Sequence, residues 1–272
     1  MQGRLSPVVG GSIQAFPWDH WRSEFSVAQK HGFKLMEWTL DQEKLYENPL
    51  LTSSGQEEIK SLCKSHDVSI PSLTGDCFMQ APFWKASGAE RPSLKEDFIA
   101  VVQACARVGI SLIVVPLVDK GRIESSEQED VLVGFLKGQE SLFASRNIRI
   151  VFESDFDPSE LTRFIKRFDP ALFGINYDIG NSSALGFSPE EEFRYYGNRI
   201  MNVHVKDRPL HGTTVPLGAG HADFRAVFSA LKGVHYKGNY ILQTARADSE
   251  AHAEVLCRYR DMTLNWLDTY GT

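Results

Sequence analysis

The 272-residue sequence lacks the features that mark several large classes of protein. Its four cysteines, at positions 63, 77, 105 and 257, form no CxxC pair and fit no compact zinc framework. The longest apolar runs, such as SLIVVPLV, are far shorter than the roughly 20 residues that a membrane span needs. The first residues show no basic segment followed by an apolar one, as an export signal would. We therefore expect a cytoplasmic protein with reduced thiols and no membrane partner.

Runs of basic residues and linker-like segments are also missing. The sequence has 29 Lys+Arg against 35 Asp+Glu, a net charge of −6, and no Lys/Arg run, which argues against nucleic acid as a partner. It contains no Gly/Ser linker, no low-complexity segment and no break in composition, so we expect a single domain over residues 1–272. The segment VVGGS at 8–12 does not match the GxGxxG turn of dinucleotide-binding sheets.

What is present is an alternation of short apolar runs with longer segments of helical periodicity. Eight strands are predicted, each separated from the next by room for a helix, and they lie at 2–6, 34–39, 68–73, 111–117, 148–153, 173–178, 200–205 and 239–243. Several of these runs are apolar almost throughout, as in parallel sheets covered on both faces. Eight such units in about 250 residues predict the α/β fold of a single (β/α)8 TIM barrel, which we prefer to a doubly wound open sheet.

Start signals for helices lie between these strands. Pro92-Ser93 precedes a periodic segment that Gly109 ends, and Asp157-Pro158 and Ser188-Pro189 open two shorter helices. Ser53 and Ser54 precede another helix, and a last helix is predicted at about 248–268.

Polar residues occur where four of the predicted strands end. Glu153 ends IVFE, Asp178 ends INYD, His204 lies in NVHV, and Gln243 ends YILQ. Each of them alone could be a satisfied polar group at a strand end. The carboxyl ends of barrel strands converge, however, so together they predict a divalent-metal site. Mixed oxygen and nitrogen ligands suit Mn²⁺, Mg²⁺ or Co²⁺, with Zn²⁺ as a further candidate.

A second set of residues surrounds these four. Lys206 shares a strand face with His204, and Asp207 and Arg208 follow it, while Arg246 lies just beyond Gln243. Cationic groups there would orient a substrate and stabilise an enediolate, although Asp207 and Arg208 could equally form a solvated loop pair. His211 and His221 lie in the adjoining glycine-rich loop, as lid residues or as part of the site.

The first half of the chain supplies fewer charged candidates. Glu37 and Trp38 near the end of one strand and Asp76 after the next are predicted to contact substrate. Phe78, Met79, Phe83 and Trp84 could form an apolar wall against a sugar ring, although aromatic clusters are more often core. Exposed aromatics near Phe83 and Trp84, or near Tyr259 and Trp266, are the basis for a candidate homodimer face, with outer-helix packing as the alternative for the latter pair.

With these residues in view, the sequence resembles the xylose isomerase-like barrel superfamily of sugar phosphate isomerases and epimerases. The resemblance rests on Glu153 in VFESDF, Asp178 in YDIGN, His204 in VHVKDR and the GTTVPLGAGHADF loop, which is similar to the PLGxGxxDF segment of that family. It is nearest the tagatose/psicose 3-epimerase and hydroxypyruvate isomerase branches. It implies a metal held by Glu153, Asp178, His204 and the residue at 243, which in the 3-epimerases is a second Glu.

The resemblance implies an isomerase that acts on a sugar or sugar phosphate through an enediolate. Glu153 would be the base, with Lys206 and Asp207 as further catalytic candidates and Arg208, His211, His221 and Arg246 on the substrate. The sequence departs from the family at Gln243, Asn181 and Ala219. Because an amide cannot act as a general base, 1,2-isomerisation is slightly favoured over 3-epimerisation. A sugar lyase or dehydratase and a non-catalytic metal-sugar binding protein stay open as alternatives, with an apurinic endonuclease the least favoured.

Overall fold

The computed structural model describes residues 1–247 and 251–271. Within them, seven parallel strands form one sheet in the order of the sequence. The strands are β1 (Leu35–Thr39), β2 (Ser69–Thr74), β3 (Leu112–Leu117), β4 (Arg149–Ser154), β5 (Phe173–Asp178), β6 (Ile200–Val205) and β7 (Tyr240–Leu242). Because β1 also approaches β7, the sheet nearly closes into a barrel. We call the end of the barrel at the carboxyl ends of the strands its mouth.

Helices connect the strands and cover the outside of the sheet. They are α1 (Ser23–Lys30), α2 (Ser53–His66), α3 (Asp76–Gln80), α4 (Glu90–Val108), α5 (Ser126–Lys137), α6 (Glu140–Arg146), α7 (Pro158–Ile165), α8 (Ile179–Leu185), α9 (Pro189–Tyr196), α10 (Phe224–Gly233) and α11 (His252–Trp266). Short 3₁₀ turns span Leu45–Glu47, Pro49–Leu51, Asp119–Gly121 and Gly197–Arg199, and a π-helical turn spans Leu267–Gly271. No described helix is both long and apolar enough to cross a membrane.

The predicted first strand at 2–6 is wrong, although this segment does fill the gap between β7 and β1. The amide of Gln2 donates to the carbonyl of Glu37 at 2.9 Å, and the amino group of Met1 donates to Leu242 at 3.3 Å. The chain then bends, because Gly3 has φ +80° and its amide, like that of Leu5, donates to the buried carboxylate of Glu24. A side chain of α1 thus takes the hydrogen bonds that a regular strand would have given to its neighbours.

The other seven predicted strands are confirmed, each within two residues of the observed bounds. The structure also contains the helix start and stop that the sequence predicted at two positions. Asp157 accepts hydrogen bonds from the amides of Ser159 and Glu160 at the start of α7, and Gly109 ends α4 with φ +87°. The last predicted helix is confirmed from His252, and residues 248–250 lie outside the described residues.

Alternation along the strands separates two layers of side chains. On β4, Ile150 and Phe152 point outward into the main core beneath the helices, whereas Val151 and Glu153 point into the barrel. A small apolar cluster of Leu112, Val114 and Val151 fills part of the barrel interior. The interior next to it is polar, and that polar part leads to the mouth.

Candidate active site

Three buried side chains with metal-ligating atoms meet at the mouth of the barrel. They are Glu153 near the end of β4, Asp178 at the end of β5 and His204 on β6, and one ligating atom of each lies within 4.8 Å of the others. Asp178 and His204 are directly paired in the register of β5 and β6. We call these three residues the acidic cluster. The meeting of strand ends that the sequence predicted is therefore present for these three residues.

His204 is oriented by a carboxylate on the opposite side of the barrel. Its Nε2 lies 2.8 Å from Oε1 of Glu37 on β1, which leaves Nδ1 facing Glu153 at 3.2 Å and Asp178 at 3.9 Å. Glu37 also accepts hydrogen bonds from Ser72 at 2.6 Å and from Asn202 at 3.0 Å. Glu37 thus lies beneath the acidic cluster and orients His204, whereas the sequence analysis had placed it on the substrate.

Two buried asparagines complete this polar interior, and the sequence analysis missed both. Asn176 donates to Oε2 of Glu153 at 2.8 Å and lies 3.1 Å from Nδ1 of His204. Asn202 donates to the amide oxygen of Asn176 at 2.8 Å. The signal that could have found them is the strand period of two, because Asn176 precedes Asp178 and Asn202 precedes His204 on the same inward faces.

The charges of this network act on one another through a buried, weakly screened interior. Burial works to lower the pKa of His204, but the carboxylates of Glu37 and Glu153 outweigh it and raise that pKa to about 10. Burial likewise works to raise the pKa of Glu153, whereas His204 and Lys206 lower it below its usual range. At neutral pH the cluster therefore holds an ionised Glu153, the form that can bind a cation or accept a proton.

Gln243 presents a polar atom that the protein itself leaves without a partner. Its Nε2 donates to the amide oxygen of Gln14 at 2.9 Å, while its buried Oε1 has no hydrogen-bond partner among the described residues. An unpaired buried oxygen is costly unless something outside the chain binds it. Two carboxylates, an imidazole and this amide oxygen form a donor set that fits a divalent cation.

A cationic rim borders the acidic cluster. Lys206 donates to Oδ2 of Asp178 at 2.8 Å, and Arg208 donates to the amide oxygen of Asn181 at 2.7 Å. Asn181 in turn donates to Oε1 of Glu153 at 2.7 Å. Lys206 therefore lies next to the cluster, as the strand alternation after His204 predicted, and Arg208, expected in the loop that follows, reaches the cluster through Asn181.

A cavity of about 710 Å³ opens above the cluster and is large enough for a sugar phosphate. Its lining includes carboxylates, amides and basic groups contributed by loops around the mouth: Gln14, Asp76, Asp119, Arg122, Glu153, Asp155, Asn181, Lys206, Arg208, His211 and Gln243. Asp76 lies at its wall, where Gln14 donates to its Oδ2 at 2.6 Å. Of the predicted substrate contacts, Asp76, Arg208 and His211 thus reach the cavity.

Other predicted contacts lie elsewhere, and Trp38 is the clearest correction. On β1 its side chain points away from Glu37, into the helix layer, where its ring packs 5.4 Å from Phe16 and 5.8 Å from Trp21. The proposed aromatic wall is wrong for the same reason: Phe78, Phe83 and Trp84 are buried in the core, and only Met79 of that group lines the cavity. Burial of Phe83, Trp84 and Tyr259 also removes three of the four aromatics proposed for a dimer face.

Three polar residues of the second predicted set hold the chain in place. Asp207 accepts hydrogen bonds from the backbone amides of Gly218, Gly220 and Ala222, so its carboxylate closes the glycine-rich loop. His221 accepts from the amide of Leu210 at 3.2 Å. Arg246 donates to the carbonyl of Ser6. None of the three is among the residues that line the cavity, so the structure does not bring them to the cluster.

Barrel, acidic cluster and cavity define an α/β barrel of the type that binds small polar substrates at its mouth. The family model described as a xylose isomerase-like TIM barrel matches residues 25–259. The chain belongs to this family.

Individual members show how far the similarity extends. The chain is 24% identical over 251 residues to the L-ribulose-5-phosphate 3-epimerase UlaE of Salmonella heidelberg, which covers 89% of this chain and 88% of UlaE. It also superimposes on the IolI protein with a bound zinc atom, with a TM-score of 0.74, 17% identity and coverage of 92% and 93%. The D-psicose 3-epimerase of Clostridium cellulolyticum H10, solved with D-tagatose, gives a TM-score of 0.72, 13% identity and the same coverage.

Proposed function

We propose that this protein is a divalent-metal-dependent isomerase or epimerase that removes a proton from a carbon next to the carbonyl of a sugar or sugar phosphate. The observation that carries the proposal is the acidic cluster together with the unpaired Oε1 of Gln243, because they form a donor set for a cation at the base of a sugar-sized cavity. The epimerase relatives are consistent with this reaction class. Glu153, Asp178, His204 and Gln243 would hold the cation.

A divalent cation in this position would act as a Lewis acid that polarises a carbonyl and makes the neighbouring C–H bond more acidic. Glu153 is the base that takes the proton, because it lines the cavity and is held ionised with each oxygen oriented by an asparagine. Lys206 lies beside it, where a positive charge stabilises the oxygen anion that forms in the substrate.

An anionic group on the substrate, such as a phosphate, would bind at the basic side of the cavity. Lys206, Arg208 and His211, which all follow β6, line this side. Arg208 is held in place by its hydrogen bonds to Asn181 and to the carbonyl of Gly212, so its guanidinium is pre-oriented. Preorganisation of this kind lowers the entropic cost of binding.

The product depends on where the proton returns. If Glu153 alone takes and returns it, the proton comes back on one face of the substrate, which gives 1,2-isomerisation between an aldose and a ketose. Return of a proton to the opposite face gives an epimer, the reaction named for the relatives.

The test is solvent deuterium incorporation followed by NMR. Chelator-treated protein is compared with and without Mn²⁺, Mg²⁺, Co²⁺ or Zn²⁺ on a panel of ketoses, aldoses and their phosphates. We expect cation-dependent incorporation at a carbon next to a carbonyl, and the labelled carbon and product then distinguish isomerisation from epimerisation. Protein that binds a cation but exchanges no C–H proton across the panel would contradict the proposal.

A lyase is the second candidate, because the nitrogen of Lys206 lies in the cavity and could protonate a departing hydroxyl. The inosose dehydratase of Geobacillus thermodenitrificans is 28% identical to this chain over an alignment of length 155 that covers 47% of this chain and 51% of the dehydratase. The same NMR panel discriminates this candidate, since loss of water yields a product with one oxygen fewer.

A further inference from the structure

Asp76 is a buried carboxylate of the cavity that the proposed reaction does not yet use. It is the first residue of α3, directly beyond β2, and it is 9% exposed. Its carboxylate accepts a hydrogen bond from Gln14, and no lysine, arginine or histidine forms an ion pair with it in the described residues. A carboxylate in this state is free to exchange a proton with a bound molecule.

The other carboxylates that line the cavity are engaged or exposed. Asp155 forms an ion pair with Arg122, Asp119 is exposed, and Glu153 belongs to the acidic cluster. Asp76 therefore differs from them because it is buried, lines the cavity and forms no ion pair within the described part of the chain.

The position of Asp76 around the mouth also differs from that of Glu153. Asp76 follows β2 and Glu153 lies on β4, so the width of β3 separates them. A substrate in the cavity is therefore bordered by the two carboxylates at different positions around the mouth. Inversion at a carbon requires such a pair, because one group removes a proton from one face and another adds a proton to the opposite face.

We propose that Asp76 is the second acid–base residue of this protein and makes it an epimerase. This inference rests on the proposed function. In one direction the Glu153 carboxylate takes the proton of the C–H bond, whose electron pair forms the enediolate of the substrate. The protonated Asp76 then gives its proton to the opposite face of the same carbon, and the new C–H bond forms. Glu153 ends protonated and Asp76 ionised, and exchange with water resets both.

The surroundings of Asp76 suit a group that must hold and release a proton near neutral pH. Burial raises the pKa of Asp76 to about 7, and the negative charges of Asp41 and Glu153 act in the same direction. The hydrogen bond from Gln14 and the charge of His204 oppose this increase, and Arg4 is a further cation that acts on Asp76. Both forms of the carboxyl group are therefore populated at neutral pH.

The same arrangement accounts for the amide at position 243. Gln14 donates to Asp76 through its Nε2 and accepts from Gln243 through its Oε1, so the three side chains form one hydrogen-bonded chain. A Glu at 243 could not donate to Gln14 in its ionised form, and the orientation of Gln14 toward Asp76 would be lost. The amide at position 243 thus orients Gln14 toward the proton-transferring group that we propose at position 76.

Asp76→Asn is the test, measured on the substrate that the deuterium panel identifies. We expect epimer formation to fall by a factor of about 10² or more, the usual contribution of a general acid or base. Deuterium exchange of the substrate C–H, which needs only Glu153, should persist. The wild-type kcat should also show an ionisation near pH 7 that the variant lacks, and Asp76→Glu should restore part of the epimer formation.

Glu43→Gln is the control. Glu43 is an exposed carboxylate of the loop after β1, and it is not among the residues that line the cavity. This variant should retain both exchange and epimer formation.

Two results with folded Asp76→Asn would overturn the role of Asp76 and leave the proposed function standing: epimer formation at the wild-type rate, or loss of exchange together with loss of product. A 1,2-isomer as the sole product of the wild type would do the same. Wild-type protein that exchanges no C–H proton would overturn the proposed function instead, and this inference with it.

Discussion

Nε2 of His204 lies 2.8 Å from the carboxylate of Glu37, on the side of the ring away from Glu153 and Asp178. Both side chains are fully buried, so this contact fixes the imidazole and directs its Nδ1 to Glu153 and Asp178. Carboxylates in this position typically orient metal-ligating histidines and raise their basicity. A residue on the first strand thus orients an imidazole on the sixth.

Glu37→Gln keeps the size of this side chain and removes its charge. We expect the affinity for Mn²⁺, measured by titration calorimetry, to fall by a factor of about 10 to 100 as for other partners of ligating histidines. Glu43→Gln, on an exposed residue of the following loop, should bind Mn²⁺ as the wild type does. An unchanged affinity in Glu37→Gln would show that the orientation of His204 does not depend on this carboxylate.

Glu153→Gln should abolish C–H exchange, since an amide cannot accept the substrate proton at neutral pH. The variant should stay folded, because an amide can still take part in hydrogen bonds with Asn176 and Asn181. Deuterium incorporation and the near-ultraviolet circular dichroism spectrum are the two measurements. Exchange at more than about a hundredth of the wild-type rate would remove Glu153 from the role of base.

Gln243→Leu removes the unpaired Oε1 while keeping a side chain of similar length. If this oxygen completes the cation site, the variant should bind Mn²⁺ at least about tenfold more weakly, equivalent to about 1.4 kcal/mol. Gln243→Glu, which keeps an oxygen at this position, should retain the cation. Equal affinity of the leucine variant and the wild type would place Gln243 outside the site.

Arg208→Met tests the basic side of the cavity. Loss of one charge-assisted hydrogen bond, worth about 1.5–3 kcal/mol, should raise KM for a phosphorylated sugar by a factor of about 10 to 100. The effect on the unphosphorylated sugar should be smaller. Arg225→Met, on the exposed face of α10, is the control. A uniform effect on both sugars would indicate that Arg208 does not contact an anionic group.

Asp76 should also make the stability of the protein depend on pH. Its folded pKa of about 7 lies above the usual 3.8, so the folded state holds this proton more tightly and stability falls as pH rises from about 4 to 7. Asp76→Asn has no carboxyl group at this position, so its stability should not fall in this way. The free energy of unfolding of the variant, minus that of the wild type, should therefore increase with pH, by on the order of 4 kcal/mol at most at pH 8. Thermal unfolding of both proteins at pH 4 and at pH 8 measures this, and a constant difference in Tm would argue against a raised pKa.

Much of the candidate site could be predicted because each residue of the acidic cluster lies in or at the end of an apolar strand. Glu153, Asp178 and His204 interrupt or end such runs, and a polar residue there is costly unless it meets a partner or a cation. The barrel fold makes these strand ends converge. The positions of these three residues in the sequence were therefore sufficient to predict that they meet.

Other parts depend on contacts between distant segments that spacing does not reveal. The irregular path of residues 2–6 follows from hydrogen bonds to Glu24, some twenty residues away along the chain. The role of Asp207 depends on three backbone amides of a later loop. Trp38 was predicted to contact substrate because it lies near the end of a strand. Side chains alternate along a strand, however, so the ring of Trp38 packs on the face opposite to that of Glu37.

The loop that Asp207 closes has a consequence for how a substrate reaches the cavity. Because its carboxylate holds the amides of Gly218, Gly220 and Ala222, the rim beside Arg208 is ordered before any ligand arrives. The entropy cost of ordering this rim is met when the protein folds, so it does not recur each time a substrate binds. Association should therefore proceed without a slow closing step, at a rate that depends on diffusion and on ionic strength.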